Sequence, residues 1–274
     1  MDSVFLAMDQ QGFIINTTSE EKIKAPWETV VREVKLACLN NLSGKLRSLY
    51  VAGSVAHGTA IPGTSDIDMY AIVDGELATL DISWWKKNAQ EISTRYPFVS
   101  KIDIVFLPYA DFLSPHRLSL AKFVLKTQAT CIFGEDLAVF IAPYQPGERT
   151  LFQVYLIKKN IARTKIVLAH SKNTKHAQLW SSWIMKRILR TGFELVLEKE
   201  KKYPAGISTC YLAFAKHYPV QAPDMNCALD YARSPPLDKT VTINYLNRFG
   251  PWIVQHAQKF IEQHTSSKSR SKDL

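Results

Sequence analysis

Cysteine is scarce and scattered: Cys38, Cys131, Cys210 and Cys227 share no CxxC spacing and no neighbouring histidine cluster. That pattern excludes a zinc site and a disulfide framework, and predicts buried, apolar cysteines in a reducing compartment. No apolar run reaches the ~18 to 20 residues that a membrane span requires. The opening segment, MDSVFLAMDQQGFIIN, lacks the basic stretch of a signal peptide. The chain is therefore read as cytoplasmic and soluble, with no membrane partner. No internal repeat is found. What it does have is a full complement of core-forming residues, 46% of 274, enough for one large domain or two modest ones and too many for a disordered chain.

Charge divides the sequence. Residues 1–148 hold 13 Lys/Arg and 17 Asp/Glu, net −4, whereas residues 149–274 hold 21 and 8, net +13. A basic second half suits an anionic partner such as a nucleoside triphosphate, RNA or a phosphorylated substrate. Well-solvated, lysine-rich helices would give the same count.

The first half alternates helices and strands. Apolar residues at helical spacing predict a helix over 25–46, with Pro26 in its first turn. Strands are expected at 49–52, 66–73, 101–108 and near 130–133, with helices at 80–96 and, opened by Ser114-Pro115, through about Lys126. From 150 onward strand signals fade. Helices are predicted at 151–169, 178–200 and 207–217, then a short one between Pro223 and Pro235-Pro236, and a last one over 240–263 kinked at Gly250-Pro251. The tail from 265 to 274 is polar, aperiodic and expected to be disordered.

Chemistry becomes legible in YVAGSVAHGTAIPGTSDIDMYAIV, Tyr50 to Val73. A strand ends at Gly53-Ser54, a small-residue stretch follows, and Asp66 and Asp68 open the next strand. Residues i and i+2 of a strand share a face, about 6.6 Å apart. Two carboxylates so placed can hold Mg²⁺, which takes hard oxygen ligands and keeps phosphate oxygens and waters as the others. Gly53 allows close backbone approach, and the Ser54 hydroxyl with the free N–H groups of a following helix can cradle phosphate. A third acid is needed to deprotonate an acceptor hydroxyl or to hold a second metal. Asp103, alone with Val105 and Leu107 on one face of KIDIVFLP, is the candidate. Ser65, Gly58 and Gly63 read as turn residues, and His57 as a half-exposed histidine without a fixed partner.

Gly-Ser, a spacer, Asp-x-Asp and a later strand acid, here Gly53, Ser54, Asp66, Asp68 and Asp103, resemble the hallmark of the DNA polymerase β superfamily of nucleotidyltransferases. The likeness is to its minimal, aminoglycoside-adenylyltransferase-like branch and covers about Leu49 to Pro108. It implies an α/β (α+β) fold: a catalytic domain at 1–148 with a small mixed sheet flanked by helices, then an all-α bundle at 149–264. It also implies transfer of a nucleoside monophosphate, by default AMP from ATP, with release of pyrophosphate. Two Mg²⁺ ions would be held by Asp66, Asp68 and Asp103, the last serving as base or second-metal ligand.

In WSSWIMKRILRTGFELVLEKE, Arg187, Arg190, Glu194 and Glu198 recur at steps of three and four. Arg187 and Arg190 could fork onto the phosphates. Alternatively they form a solvated face with ion pairs such as Arg190 to Glu194. Lys202 is similar in position to a triphosphate-contacting lysine of that branch, and Glu194 is a candidate for the acceptor pocket. Trp180, Trp183 and Tyr211 read as core aromatics. A polycationic aminoglycoside wants an acidic acceptor face, which a half at +13 supplies poorly. A small-molecule hydroxyl remains the expected acceptor. A protein or RNA acceptor and a non-catalytic nucleotide-binding module are the alternatives.

Overall fold

In a computed structural model of the chain, residues 4–114, 117 and 119–271 are described. They divide into two compact units: Ala7–Tyr144, and a second that joins the chain from Gln145 onward to the N-terminal residues up to Leu6.

In the first unit, α1 (Trp27–Asn41) forms because Trp27, Val30, Val31, Val34 and Cys38 recur at helical spacing and are all buried. Pro26 takes the N-cap position rather than the first turn. The helix stops short of 46 because Gly44 adopts a left-handed φ of 70° and the chain enters β1 (Leu46–Ala52). There follow α2 (Gly53–His57), β2 (Ile67–Val73), α3 (Trp84–Arg95), β3 (Ile102–Pro108), α4 (Tyr109–Leu113), α5 (Ser119–Gln128) and β4 (Ala129–Gly134). The helix expected to open at Ser114-Pro115 starts at Ser119, and Pro115 itself lies outside the described residues.

The strands form one mixed sheet in the order β3-β2-β1-β4. β2 and β3 are parallel, bridged by α3, while β1 runs antiparallel to both its neighbours. Period-two alternation sorts the side chains. Leu49, Val51, Ile67, Met69, Ala71, Val73 and Ile102 pack with the valines of α1 in one core, each fully buried aliphatic contributing about 1.5–3 kcal/mol. Tyr50, Asp68 and Asp103 therefore face the other side. Tyr50 is fully buried there, and its hydroxyl donates to Asp136 Oδ1 at 3.1 Å.

The second unit holds α6 (Ile157–His170), α7 (Thr174–Glu194), α8 (Leu197–Glu200), α9 (Ile207–His217), α10 (Ala222–Arg233), α11 (Lys239–Arg248) and α12 (Gly250–Ser271). The Asn173 side chain accepts the His176 N–H and starts α7 four residues earlier than periodicity indicates. The helix expected at 178–200 is two, α7 and α8. The kinked helix at 240–263 is likewise two, meeting at Phe249, and α12 extends through Ser271 into the segment expected to be disordered; 272–274 lie outside the described residues. Ile184, Ile188, Leu189, Phe193, Phe214 and Met225 lie at the centre of this core. The boundary expected at 148 needs amending at the N-terminus. Val4 N–H donates to Thr209 Oγ1 at 3.0 Å and Leu6 N–H to the Tyr203 carbonyl at 2.8 Å, so this segment belongs to the helical unit. Among the described residues no helix is long and apolar enough to cross a membrane.

Candidate active site

The ends of three adjacent strands bring the motif together. Ala52 closes β1 opposite Asp68, and Asp68 is in turn opposite Asp103 across the parallel β2–β3 pair. Asp66 precedes β2 by one residue, so alternation sends it to the face of Asp68. Beyond Ala52, Gly53 turns the chain with φ 70° into α2. A Cβ at Gly53 would sit 3.8 Å from Asp68 Oδ2, which places this carboxylate directly against the glycine backbone. The Ser54 hydroxyl stands in the first turn of α2, half-buried, and makes no hydrogen bond among the described residues. Asp66, Asp68 and Asp103 are all half-exposed. Asp103 is paired with Lys101, two residues away on the same strand face, and keeps 46% of its side-chain surface open.

Carboxylate oxygens at a half-exposed strand edge are the donors that a hard cation takes. Among the described residues no three His, Cys, Asp or Glu side chains converge closely enough to cage an ion on their own. Mg²⁺ is usually held by one or two carboxylates, with phosphate oxygens and waters as its other ligands. The donor set fits the ion.

Residues around the motif divide into those read correctly and those missed. Ser65 is a turn residue: its Oγ accepts the Ile61 N–H at 2.9 Å. Gly58 and Gly63 take left-handed φ values of 73° and 77° in the connecting loop. His57 does have a partner, Thr17 Oγ1, 3.3 Å from its Nδ1; burial and the charge of Lys22 hold its pKa below the usual imidazole range. Lys101 was not singled out, although a lysine two residues before an acid on a strand shares its face. Asn16 was missed because it is far away in sequence; its Nδ2 donates to the Ala129 carbonyl at 2.8 Å, on the residue opposite Ala52.

In the helical unit the predicted polar stripe is broken. Glu194 does not face an acceptor: it is only 2% exposed. Its Oε1 accepts the Phe152 and Gln153 N–H groups, each at 2.9 Å, and its Oε2 those of Gln153 and Val154, each at 2.8 Å. Three successive backbone donors before α6 would otherwise be orphaned, and they draw the carboxylate inward instead of toward Arg190. Burial pushes the Glu194 carboxyl up to about 7, against the pull of these donors and of Arg190. Arg187 lies over Trp183 at 5.1 Å and donates to Gln153 Oε1 at 3.3 Å. Arg190 is exposed. Lys202 is exposed and lies 5.7 Å from the Phe5 ring.

Comparison with known proteins bears on the first unit. A search among curated proteins finds no match. Among solved structures, spectinomycin adenyltransferase AAD(9) from Enterococcus faecialis, solved with ATP and spectinomycin, is 14% identical, with a TM-score of 0.49 over 80% of this chain and 97% of that one. The mutant toxin–antitoxin pair MntA-HpeT is 23% identical, with a TM-score of 0.28 over 39% and 73%. Residues 31–122 match the family model described as a nucleotidyltransferase domain. That span contains Gly53, Ser54, Asp66, Asp68 and Asp103 on their aligned strand ends, and it is a nucleotidyltransferase domain.

Proposed function

We propose that the protein transfers a nucleoside monophosphate, AMP from ATP, to an acceptor hydroxyl and releases pyrophosphate. The observation that carries this reading is the register of the sheet, which aligns Ala52, Asp68 and Asp103 across three strands beside Gly53 and Ser54. Asp66 and Asp68 would hold Mg²⁺ with the triphosphate, and Asp103 a second ion. Bound there, the metal would neutralise phosphate charge and polarise the reacting phosphoryl group.

The residues have separable tasks. Ser54 and the first N–H groups of α2 bind phosphate oxygens, and Gly53 leaves room for them against Asp68. Asp103, released from Lys101, accepts the proton of the acceptor hydroxyl, unless it serves as the second-metal ligand. Arg187, Arg190 and Lys202 are proposed as phosphate contacts from the helical unit on the chemistry of their cations alone. The acceptor is read as a small molecule and the setting as cytoplasmic.

The test is incubation of α-phosphate-labelled ATP, CTP, GTP and UTP with Mg²⁺ and a fractionated cell extract, beside an Asp66→Ala/Asp68→Ala variant. Label in low-mass products made only by the wild type, and only from ATP, is the expected result. Label made equally by the variant would end this assignment of the acids.

A further inference from the structure

From Arg149 to Phe193, 45 residues contain ten Lys/Arg and no Asp or Glu. The tract folds into α6 and α7, which pack against each other in one unit. Nothing about two amphipathic helices requires the omission of every acid, because i,i+4 ion pairs ordinarily stabilise exposed faces. Among the described residues, Lys216–Glu200 and Arg248–Asp224 are ion pairs of this unit that lie outside these two helices. Among the described residues no carboxylate pairs with Lys158, Lys159, Arg163 or Lys165; the first three are exposed and Lys165 half-buried.

Aromatic rings are set among these cations. Trp180 and Trp183, one turn apart on α7, meet edge to face at 5.3 Å and stay half-exposed. Arg163 reaches from α6 to within 5.1 Å of the Trp180 ring. The Trp180 indole N–H donates to His176 Nε2 at 3.1 Å, which fixes the ring one turn further along α7. Trp183 also packs against the helical core, whereas Trp180 is outside it. Half-exposed rings at fixed angles, flanked by unpaired cations, combine the two features that hold single-stranded nucleic acid: stacking platforms and a positive track for phosphates. An acidic protein would be matched by the charge but would leave the two indoles without a purpose.

We infer that the α6–α7 face of the helical unit binds single-stranded RNA, with bases stacking on Trp180 and Trp183 and phosphates on Lys158, Lys159 and Arg163. RNA is preferred to DNA because RNA is ordinarily recognised in its single-stranded segments, whose unstacked bases lie open to aromatic rings and arginine planes. The binding needs no nucleotide or metal and stands whether or not the transfer reading holds. It also bears on it, because a bound RNA carries terminal hydroxyls.

The experiment is fluorescence anisotropy of the full-length protein with a labelled 12-nucleotide uridine RNA, without ATP or Mg²⁺. Three phosphate contacts give a log–log salt slope of about −2, so affinity falls about twentyfold between 50 and 200 mM salt. Trp180→Ala is expected to weaken binding by about tenfold or more and Trp180→Phe by much less, because an aromatic face is kept. Arg163→Glu should weaken binding well beyond Lys259→Glu, an equal charge change on α12. Equal losses from Arg163→Glu and Lys259→Glu, or no loss from Trp180→Ala in a variant that melts like wild type, would reduce the surface to diffuse charge and overturn the inference. Tighter binding of the DNA 12-mer, or of a polyglutamate peptide, would overturn the assignment to RNA.

Discussion

At the strand ends of the sheet, Asp66, Asp68 and Asp103 stay half-exposed, and Asp103 is paired with Lys101, which is itself about half-exposed. In the helical unit Glu194 is enclosed and its two oxygens receive four hydrogen bonds from three consecutive backbone N–H groups. The contrast separates carboxylates left partly in water from one that is built into the fold. A carboxylate left partly in water can still take a cation or a proton, at little cost to stability. A group that completes the fold spends its lone pairs on donors that would otherwise be buried alone.

The contrast is broken most directly by removing the half-exposed acids. Asp66→Ala and Asp68→Ala should each lower transfer about a thousandfold or more, since each takes a ligand from the charge-stabilising site. Unfolding midpoints should move little, because substitutions of half-exposed surface groups usually change stability by about 0.5 kcal/mol or less. Pyrophosphate release and urea unfolding on the same samples check both halves. A variant that lost stability and kept its activity would exchange the roles assigned here.

The sheet motif was legible because catalysis and strand geometry impose the same short spacing: Asp66 and Asp68 at i and i+2, Asp103 alone on the face opposite Ile102, Ile104 and Phe106. Helices α1, α9 and α10 were legible from apolar period and proline. The fate of Glu194 was not. Its partners lie about forty residues upstream, and backbone donors leave no mark on side-chain spacing. Asn16 and the N-terminal pairing with Tyr203 and Thr209 escaped for the same reason, being contacts between distant segments. The split of the last helix at Phe249 was half visible, since Gly250-Pro251 signals a break without saying whether the chain bends or restarts.

Two glycines sharpen the comparison at the level of packing. Gly134 closes β4 with φ 78°, and a Cβ there would lie 1.9 Å from the Arg47 carbonyl oxygen, a backbone atom of the central strand. Gly192, inside α7, would place a Cβ 2.4 Å from Met225 Cε, the flexible end of a side chain, and 3.0 Å from a Phe214 ring carbon. Gly134→Ala combines a left-handed backbone with a main-chain clash and should cost about 3 kcal/mol or more. Gly192→Ala is an overpacking change in which Met225 can give way, costing about 1–3 kcal/mol. Urea midpoints order the two, and a larger loss at Gly192 would mean that the helical core is the stiffer one.

Glu194 supplies the pH dependence. Its carboxyl, at about 7 in the fold against an ordinary 4.5, binds its proton more tightly folded than unfolded. Its contribution to stability is therefore fully present below about 4.5 and declines as pH rises through about 7. Glu194→Gln should abolish that slope. At pH 8 it should also cost about 1–3 kcal/mol, because an amide NH₂ would then confront backbone donors. Unfolding midpoints of the two proteins at half-unit steps from pH 5 to 8 test this. Parallel curves would mean that the backbone donors hold the group ionised throughout.

The smallest effect is expected at Lys101. Its pair with Asp103 joins two groups that are each about half-exposed, a kind of contact contributing about 0–1 kcal/mol. Lys101→Met should leave the unfolding midpoint within about 0.5 kcal/mol of wild type while removing a cation that competes for Asp103. If Asp103 serves the metal, the Mg²⁺ concentration for half-maximal transfer should fall about two- to threefold with little change in maximal rate. If it serves as the base, the Mg²⁺ dependence should stay in place and the maximal rate should change instead, because Lys101 no longer competes for the carboxylate that takes the proton. The variant thereby distinguishes two roles that a half-exposed carboxylate beside a lysine serves equally well.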